Sequence, residues 1–266
     1  MVVNPTRYFE TTVDRLQAAG CVFAKDESRL LIEAARDPAE LESMVERRVA
    51  GERLEHILGW AEFAGQRIVI DPGVFIPRPR TEFLAEQAAS LVKPRDVVVD
   101  LCCGSGAVAA VLGAAVEGLE LHAVDIDPVE VRCARRNLGD LGEVYEGDLY
   151  DPLPADLRGR IEVLVANAPY VPTAEIVLMP PEARTQEPRI ALDGGADGLD
   201  VVRRVAAGAS AWLGDDAHLL VETSQRQVPQ AIAIFEQARL VPRVVRSDEM
   251  DATVVIGSPE PVSFQR

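Results

Sequence analysis

The chain has 266 residues, of which 48% are hydrophobic and 26% charged, and a formal net charge of −16. That length holds one large or two modest domains with a sizeable core, and the composition is that of a globular protein. No apolar run approaches the roughly 20 residues that span a bilayer, and the acidic balance argues against a broad nucleic-acid footprint while leaving room for a local basic groove.

The opening stretch, Met1-Val2-Val3-Asn4-Pro5, carries no basic region ahead of an apolar core, so no signal peptide is expected and the cytoplasm is the expected compartment. Four cysteines, Cys21, Cys102, Cys103 and Cys133, and three histidines offer no metal-ligand spacing. Free, mostly buried thiols and no bound metal are expected.

From about Thr6 to Leu58, apolar residues recur at intervals of three and four, and Gly20, Pro38 and Gly51 punctuate them. This is the pattern of a small helical domain. Near its end cluster Arg47, Arg48 and Arg53, read first as a solvated face and second as a docking or substrate-phosphate site. From Phe63 to Ile76 the period becomes two, with Ile68, Ile70, Val74 and Ile76 flanking Asp71-Pro72-Gly73, which predicts a β-hairpin turning at that tripeptide. Pro77-Arg78-Pro79-Arg80-Thr81-Glu82 follows as an extended segment, with Thr81 as a candidate helix cap. It is either a plain linker or the carrier of Arg78 or Glu82 into a cleft.

Asp96 to Val108 reads as a buried strand, a glycine turn and a helix start. Such a turn lets backbone approach a ligand and presents helix N-terminal N–H groups. Cys102 stands where a dinucleotide fingerprint has its first glycine. The strand-closing Asp100 repels a pyrophosphate and favours a nucleoside bearing a cationic sulfonium. The next strand ends at Asp125, about 20 residues past the glycines, the spacing of an acid that accepts from ribose hydroxyls. Asp127-Pro128 reads as a helix cap with proline at the first helical position. A short strand near Val144 leads to Gly147-Asp148, where Asp148 is either an acceptor for a base amine or a plain loop acid.

The strand Ile161 to Ala166 stops at Asn167-Ala168-Pro169-Tyr170, an amide, backbone carbonyls and a phenol at the sheet edge where ligands bind in open α/β folds. A long loop broken by Pro172, Pro180, Pro181 and Pro188 runs to Leu199, read as a substrate-side wall or lid because apolar residues are interleaved through it. Helices and strands then alternate to the end. The last two strands, near Val244 and Val254, are joined too closely for a parallel crossover. The expected fold is therefore α/β: a doubly wound, mostly parallel seven-stranded Rossmann-like sheet with an antiparallel last strand, after a small N-terminal helical domain. The expected divisions are 1–60 helical, 61–82 hairpin and proline-rich linker, and 83–266 the catalytic domain.

Taken together, Ile76-Pro77-Arg78-Pro79-x-Thr81-Glu82, the Asp100-to-Gly106 turn, Asp125, Gly147-Asp148, Asn167-x-Pro169-Tyr170, Glu187-Pro188, Leu192-Asp193-Gly194-Gly195 and Gly198-Leu199 resemble the protein-(glutamine-N5) methyltransferases that modify peptide-chain release factors. These are class I S-adenosylmethionine-dependent methyltransferases, and Glu222 with Gln225 fits their later strand exit. The resemblance implies S-adenosyl-L-methionine as cofactor, held by Asp100, Cys102, Gly104 and Gly106 of the first turn. Asp125, Ile126, Asp148, Leu149 and Asn167 would complete that set. It implies Asn167, Ala168, Pro169 and Tyr170 as the catalytic turn, and Arg78, Glu82, Asn167, Tyr170 and Glu187 as contacts to a release-factor substrate. A monomer is the default state, with no membrane and no nucleic acid as direct substrate.

The chain departs from that family at Ala168, where a second proline is usual, at Arg80, where an acid is usual, and in its short helical domain. A carboxamide nitrogen is a poor nucleophile, and no matched base stands in the motif. Asn167 Oδ1 and the Ala168 carbonyl are therefore expected to accept both N–H groups of the target –NH2, with Tyr170 walling it by packing. The competing readings are a nucleic-acid adenine or guanine amino-methyltransferase, and a non-catalytic binding module that kept the fold.

Overall fold

The computed structural model describes residues 5–179 and 187–260. The N-terminal tetrapeptide, Pro180, Pro181 and the last six positions lie outside the described residues.

Four helices come first: α1 (Pro5–Ala18), α2 (Ala24–Ala34), α3 (Pro38–Val49) and α4 (Leu54–Leu58). Asp37 caps α3, its side chain accepting from the Ala39 and Glu40 backbone N–H groups, with Pro38 at the first helical position. Their apolar stripes meet in a small core of their own around Leu16, Leu31, Leu41, Val45 and Ile57.

A hairpin follows, but one strand earlier than the sequence pattern suggests. Strands β1 (Trp60–Phe63) and β2 (Gln66–Val69) pair antiparallel. Their two-residue turn is Ala64-Gly65, both at positive φ (49° and 73°), the twist a tight hairpin demands. Asp71-Pro72-Gly73 does turn, with the Val74 N–H donating to the Asp71 carbonyl, yet no ladder forms beyond it. Side chains satisfy that backbone instead. The Phe75 N–H donates to Glu130 Oε1 at 2.7 Å, and His56 Nε2 lies 2.9 Å from the Val74 carbonyl. The alternating Ile68, Ile70, Val74 and Ile76 are all buried, so the period reported burial rather than pairing.

Next come α5 (Thr81–Ala89), β3 (Val97–Leu101), α6 (Ala107–Ala115), β4 (Glu120–Asp125), α7 (Pro128–Leu138), β5 (Glu143–Glu146) and β6 (Ile161–Ala166). The chain closes with α8 (Asp200–Ala209), β7 (Leu213–Glu222), α9 (Val228–Gln237), β8 (Leu240–Ser247) and β9 (Ala252–Pro259). The main sheet has the order β5-β4-β3-β6-β7-β9-β8, and β9 runs antiparallel to both of its neighbours. Helices α5, α6 and α7 bury one face against Val98, Val163 and Leu220. Helices α8 and α9 bury the other against Val99, Leu164 and Leu219. Strand β3 is buried along its whole length, which explains its unbroken apolar run.

This is the doubly wound, seven-stranded sheet expected from the sequence, with its reversed last strand. Successive strands step outward from β3 to β4 and β5, then return to β6 on the other side. The reversal opens a crevice at the carboxyl ends of β3, β4 and β6, the place such sheets bind ligands.

Candidate active site

That crevice is a cleft of about 450 Å³, and five of the strand-end residues singled out in the sequence line it: Asp100, Cys102, Asp125, Asp148 and Asn167. Gly104, Ile126, Leu149, Ala168, Pro169, Tyr170 and Arg78 line it as well. Gly106, Glu82 and Glu187 are absent from the lining.

The first turn is tightly built. Cys102 adopts φ 57°, the left-handed conformation that glycine takes without strain, so its position is special even though its residue is not glycine. Gly106 also has positive φ (75°), and a Cβ there would come within 2.7 Å of Leu138 Cδ1. Its place is against α7, where it lets the turn pack closely. Asn137 on α7 fastens the same turn to the hairpin. Its Nδ2 donates to the Ser105 carbonyl at 2.8 Å and the Val69 carbonyl at 2.9 Å, while its Oδ1 accepts from the Val69 N–H.

Asp125, the last residue of β4, accepts from the Gly104 N–H (Oδ2, 2.9 Å) and the Asp127 N–H (Oδ1, 2.9 Å). The strand-end acid thereby fixes the glycine turn as well as facing the cleft. Asp127 caps α7 through the Val129 N–H at 2.7 Å, with Pro128 at the first helical position, as its spacing suggested. Asp100 is buried and accepts from the Ala109 N–H; burial and the nearby Asp125 push its carboxyl up to about 7. Burial likewise raises Asp125 and the Cys102 and Cys103 thiols. Asp148 pairs with Arg204 of α8 at 2.7 Å on a half-exposed edge of the cleft.

Glu130 joins these acids, although the sequence reading passed over it. It is 2% exposed, lines the cleft, and burial pushes it up to about 8. A signal existed: Glu130 stands four residues before Ala134 and eight before Leu138, an acid on the stripe that α7 buries.

Across β3, the turn after β6 is clamped from several directions. Asn167 Nδ2 donates to Thr81 Oγ1 at 3.2 Å, which directs the amide oxygen away from Thr81. Thr81 is no helix cap: Arg80 holds that position and Thr81, 2% exposed, turns its hydroxyl inward. The proline-rich segment is also less extended than expected, because the Thr81 and Glu82 N–H groups donate to the Arg78 and Pro79 carbonyls as the helix begins.

The Tyr170 hydroxyl donates to Glu222 Oε1 at 3.1 Å and accepts from Arg80, whose Nε reaches the same oxygen at 3.1 Å. Arg80, the departure from the family pattern, is thus neutralised by an acid at the end of β7. Burial and the Glu222 charge raise the Tyr170 phenol, so it stays protonated near neutrality.

The long loop braces this turn. Val171 N–H donates to the Leu192 carbonyl and Gly194 N–H to the Val171 carbonyl. A Cβ on Gly194 would come within 2.6 Å of the Pro169 carbonyl, so glycine is required for that approach. Gln227 Nε2 holds the Tyr170 carbonyl at 2.9 Å and the Asp197 carbonyl at 3.0 Å.

Glu187 sits behind this wall. Arg78 binds both its oxygens at 2.5 Å, and Arg53 binds Oε1 at 2.8 Å. The arginine cluster is only in part a solvated face: Arg47 pairs with Glu52 at the surface, whereas Arg48 pairs with Glu27 and Arg53 spans from the helical segment to Glu187, both largely covered.

The acids around the glycine turn suit a nucleoside that carries positive charge, and S-adenosyl-L-methionine has that chemistry. The buried Glu130 Oε2, unpartnered among the described residues, is a place for such charge to land.

Comparison with known proteins agrees. Residues 66–179 match the methyltransferase small domain family. A release factor glutamine methyltransferase of Streptomyces coelicolor is 38% identical over 201 residues, covering 74% of this chain and 71% of the relative. The Geobacter sulfurreducens protein of that name is 35% identical, over 76% and 72% of the two chains, and the Mycolicibacterium smegmatis one 38%, over 79% and 76%.

Among solved structures, a T. thermophilus 16S rRNA N2 methyltransferase in complex with AdoMet and guanosine aligns with TM-score 0.55 at 17% identity, covering 76% of this chain and 50% of that one. A ribosomal protein L11 methylase of Lactobacillus delbrueckii aligns with TM-score 0.52 at 17% identity, over 73% and 85%. These two share the fold. On the sequence relatives, this chain belongs to the release factor glutamine methyltransferase family, and S-adenosyl-L-methionine is its cofactor.

Proposed function

We propose that this enzyme transfers a methyl group to the side-chain amide nitrogen of a glutamine in a peptide-chain release factor. The observation that carries the reading is the Asn167–Thr81 hydrogen bond at the edge of a cleft lined by Asp100, Asp125 and Glu130, whose partners are backbone N–H groups rather than arginines. Thr81 occupies the amide N–H side of Asn167. Oδ1 is then left to accept one N–H of the target –NH2, and the Ala168 carbonyl accepts the other. Two acceptors hold the target nitrogen with its lone pair directed along the cleft, which converts an unfavourable encounter into a positioned one. They also stabilise positive charge as it develops on that nitrogen.

Bound S-adenosyl-L-methionine supplies an electrophilic methyl group on a sulfonium. The chain's own contribution is orientation, a negative field and exclusion of water. Asp125 takes the ribose hydroxyls, and Ile126 and Leu149 flank the base. Tyr170, held between Arg80 and Glu222, is a rigid wall beside the target amide rather than a base. Ala168 keeps the carbonyl that a proline would offer there, and the Leu192–Leu199 brace supplies the rigidity that the missing ring would give.

Arg78 acts through Glu187, setting the substrate-side wall. The helical segment 1–60, joined to that wall by Arg53, is the surface that meets the release factor. Net charge of −16 disfavours an RNA acceptor.

The test is transfer of tritiated methyl from S-adenosyl-L-methionine into a purified release factor and, in parallel, into ribosomal RNA. Label in the release factor alone is expected. Label in RNA alone overturns the assignment in favour of a nucleobase amine.

A further inference from the structure

Glu130 has a hydrogen bond on one oxygen only. Oε1 accepts from the Phe75 N–H at 2.7 Å, while Oε2 is buried and has no partner among the described residues. The usual structural employment for an acid at this point of a helix is to reach back to the capping residue's own N–H. Here that N–H, on Asp127, donates to Asp125 Oδ1 instead, so Glu130 does not close a capping box. The arginines that line the cleft also go elsewhere: Arg53 and Arg78 to Glu187, Arg80 to Glu222, and Arg204 to Asp148. A buried carboxyl oxygen left without a partner is costly in either protonation state. Something in the working protein must meet it.

Its location narrows what that is. Glu130 Oε2 lies over Gly104, near enough that a methyl group built on that residue would sit 3.7 Å away. The cleft has two flanks. Leu149 and Val201 belong to the core under α8, with Asp148 beside them, whereas Cys103, Ala107 and Val108 belong to the core under α6 and α7. A nucleoside that places its base by Asp148 and Leu149 and its ribose on Asp125 sends its amino-acid tail to the other flank. Asn167, where the reacting sulfonium must arrive, follows β6, two strands from β4 and so about 10 Å away. A sulfonium also has no N–H to give.

From this geometry we infer that Glu130 binds the α-ammonium group of the cofactor's methionine portion, as its charge-assisted hydrogen-bond acceptor. The inference rests on the cofactor reading above. The raised proton affinity of the ligand-free carboxyl is what a site awaiting a cation should show.

The test is calorimetric binding of three probes to the parental protein and to Glu130→Gln: S-adenosyl-L-methionine, S-adenosyl-L-homocysteine, and 5′-methylthioadenosine, which lacks the amino-acid tail. Both tailed ligands are expected to weaken by roughly tenfold or more, with 5′-methylthioadenosine unchanged. Thermal unfolding of ligand-free Glu130→Gln is expected no lower than parental, because a neutral amide replaces a carboxyl that the ligand-free fold holds protonated up to about pH 8, and it keeps the Phe75 acceptor.

Equal binding of all three ligands, equal weakening of all three, or weakening of S-adenosyl-L-methionine alone would each overturn the assignment. So would a clear loss of thermal stability, the mark of a structural role. Failure of the parental protein to bind S-adenosyl-L-methionine would instead overturn the cofactor reading itself.

Discussion

The two halves of the cleft handle charge in opposite ways. On the acceptor side Glu222 holds Arg80, and Glu187, behind the wall, holds Arg78 and Arg53. On the cofactor side Asp148 pairs with Arg204 at the edge, but Asp100, Asp125 and Glu130 cluster around the glycine turn with backbone N–H groups as their partners. The first half has its charges paired before any ligand arrives, so its contribution is orientation. The second half holds buried acids without basic partners, whose raised proton affinity a cationic ligand would offset, so its contribution is affinity for such a ligand. Substitutions in the two halves should therefore separate turnover from binding.

The largest effect is expected at Asn167. Asn167→Ala should lower kcat on the order of a hundredfold or more, the scale of losing a polar group aimed at developing charge. Cofactor affinity should stay near parental, as calorimetry beside single-turnover transfer would register. If turnover survives, the acceptor half does not orient the nucleophile by its amide.

Asp125→Ala should do the reverse, weakening S-adenosyl-L-methionine binding by roughly 10- to 100-fold, the worth of hydrogen bonds to a charged acceptor. An unchanged dissociation constant would remove Asp125 from the ribose. Because this carboxylate also holds the Gly104 N–H, Asp125→Asn is the informative companion.

Thr81→Val should cost less, about fivefold in kcat with little change in cofactor affinity, since a net hydrogen bond is worth about 1 kcal/mol. Thr81→Ser should restore the rate. A Thr81→Val enzyme with parental kcat would show that Asn167 needs no anchor.

The cofactor half also makes the ligand-free protein sensitive to alkali. Asp100 and Glu130 have folded values raised to about 7 and about 8, above those of an unfolded chain. Between about pH 4 and those values the folded state holds protons that the unfolded state has released. Stability from these groups is therefore present at low pH and lost as pH rises through the window. Melting temperature should fall from pH 5 toward 8 without ligand. Saturating S-adenosyl-L-methionine should flatten that slope, and Glu130→Gln should flatten it without ligand. A slope indifferent to both would mean these carboxyls are not the ones titrating.

Much of the cofactor half was legible in the sequence because it depends on local order. A buried strand, a turn and an acid at fixed spacing place Asp100, Asp125 and Asp148 on one sheet edge whatever the details. Glu130 escaped because an acid in the first turn of a helix is normally a surface residue, and only its stripe with Ala134 and Leu138 hinted otherwise. The acceptor half was less legible because it is assembled from residues far apart in the chain. Arg80, Tyr170 and Glu222 meet across 142 positions, and Thr81 reaches Asn167 across 86. The hairpin was misplaced for a related reason: Val74 and Ile76 alternate as a strand does, but side chains from α4 and α7 satisfy their segment's backbone.

The central claim is that the positioned nitrogen is a glutamine amide. Its most direct test is mass mapping of a release factor after incubation with this enzyme and S-adenosyl-L-methionine. A gain of one methylene confined to the glutamine of the Gly-Gly-Gln motif, and formed on the order of a hundredfold more slowly with Asn167→Ala, is the expected result. A methyl group on lysine, arginine or the chain terminus, or an unmodified glutamine beside an active cofactor site, would contradict it.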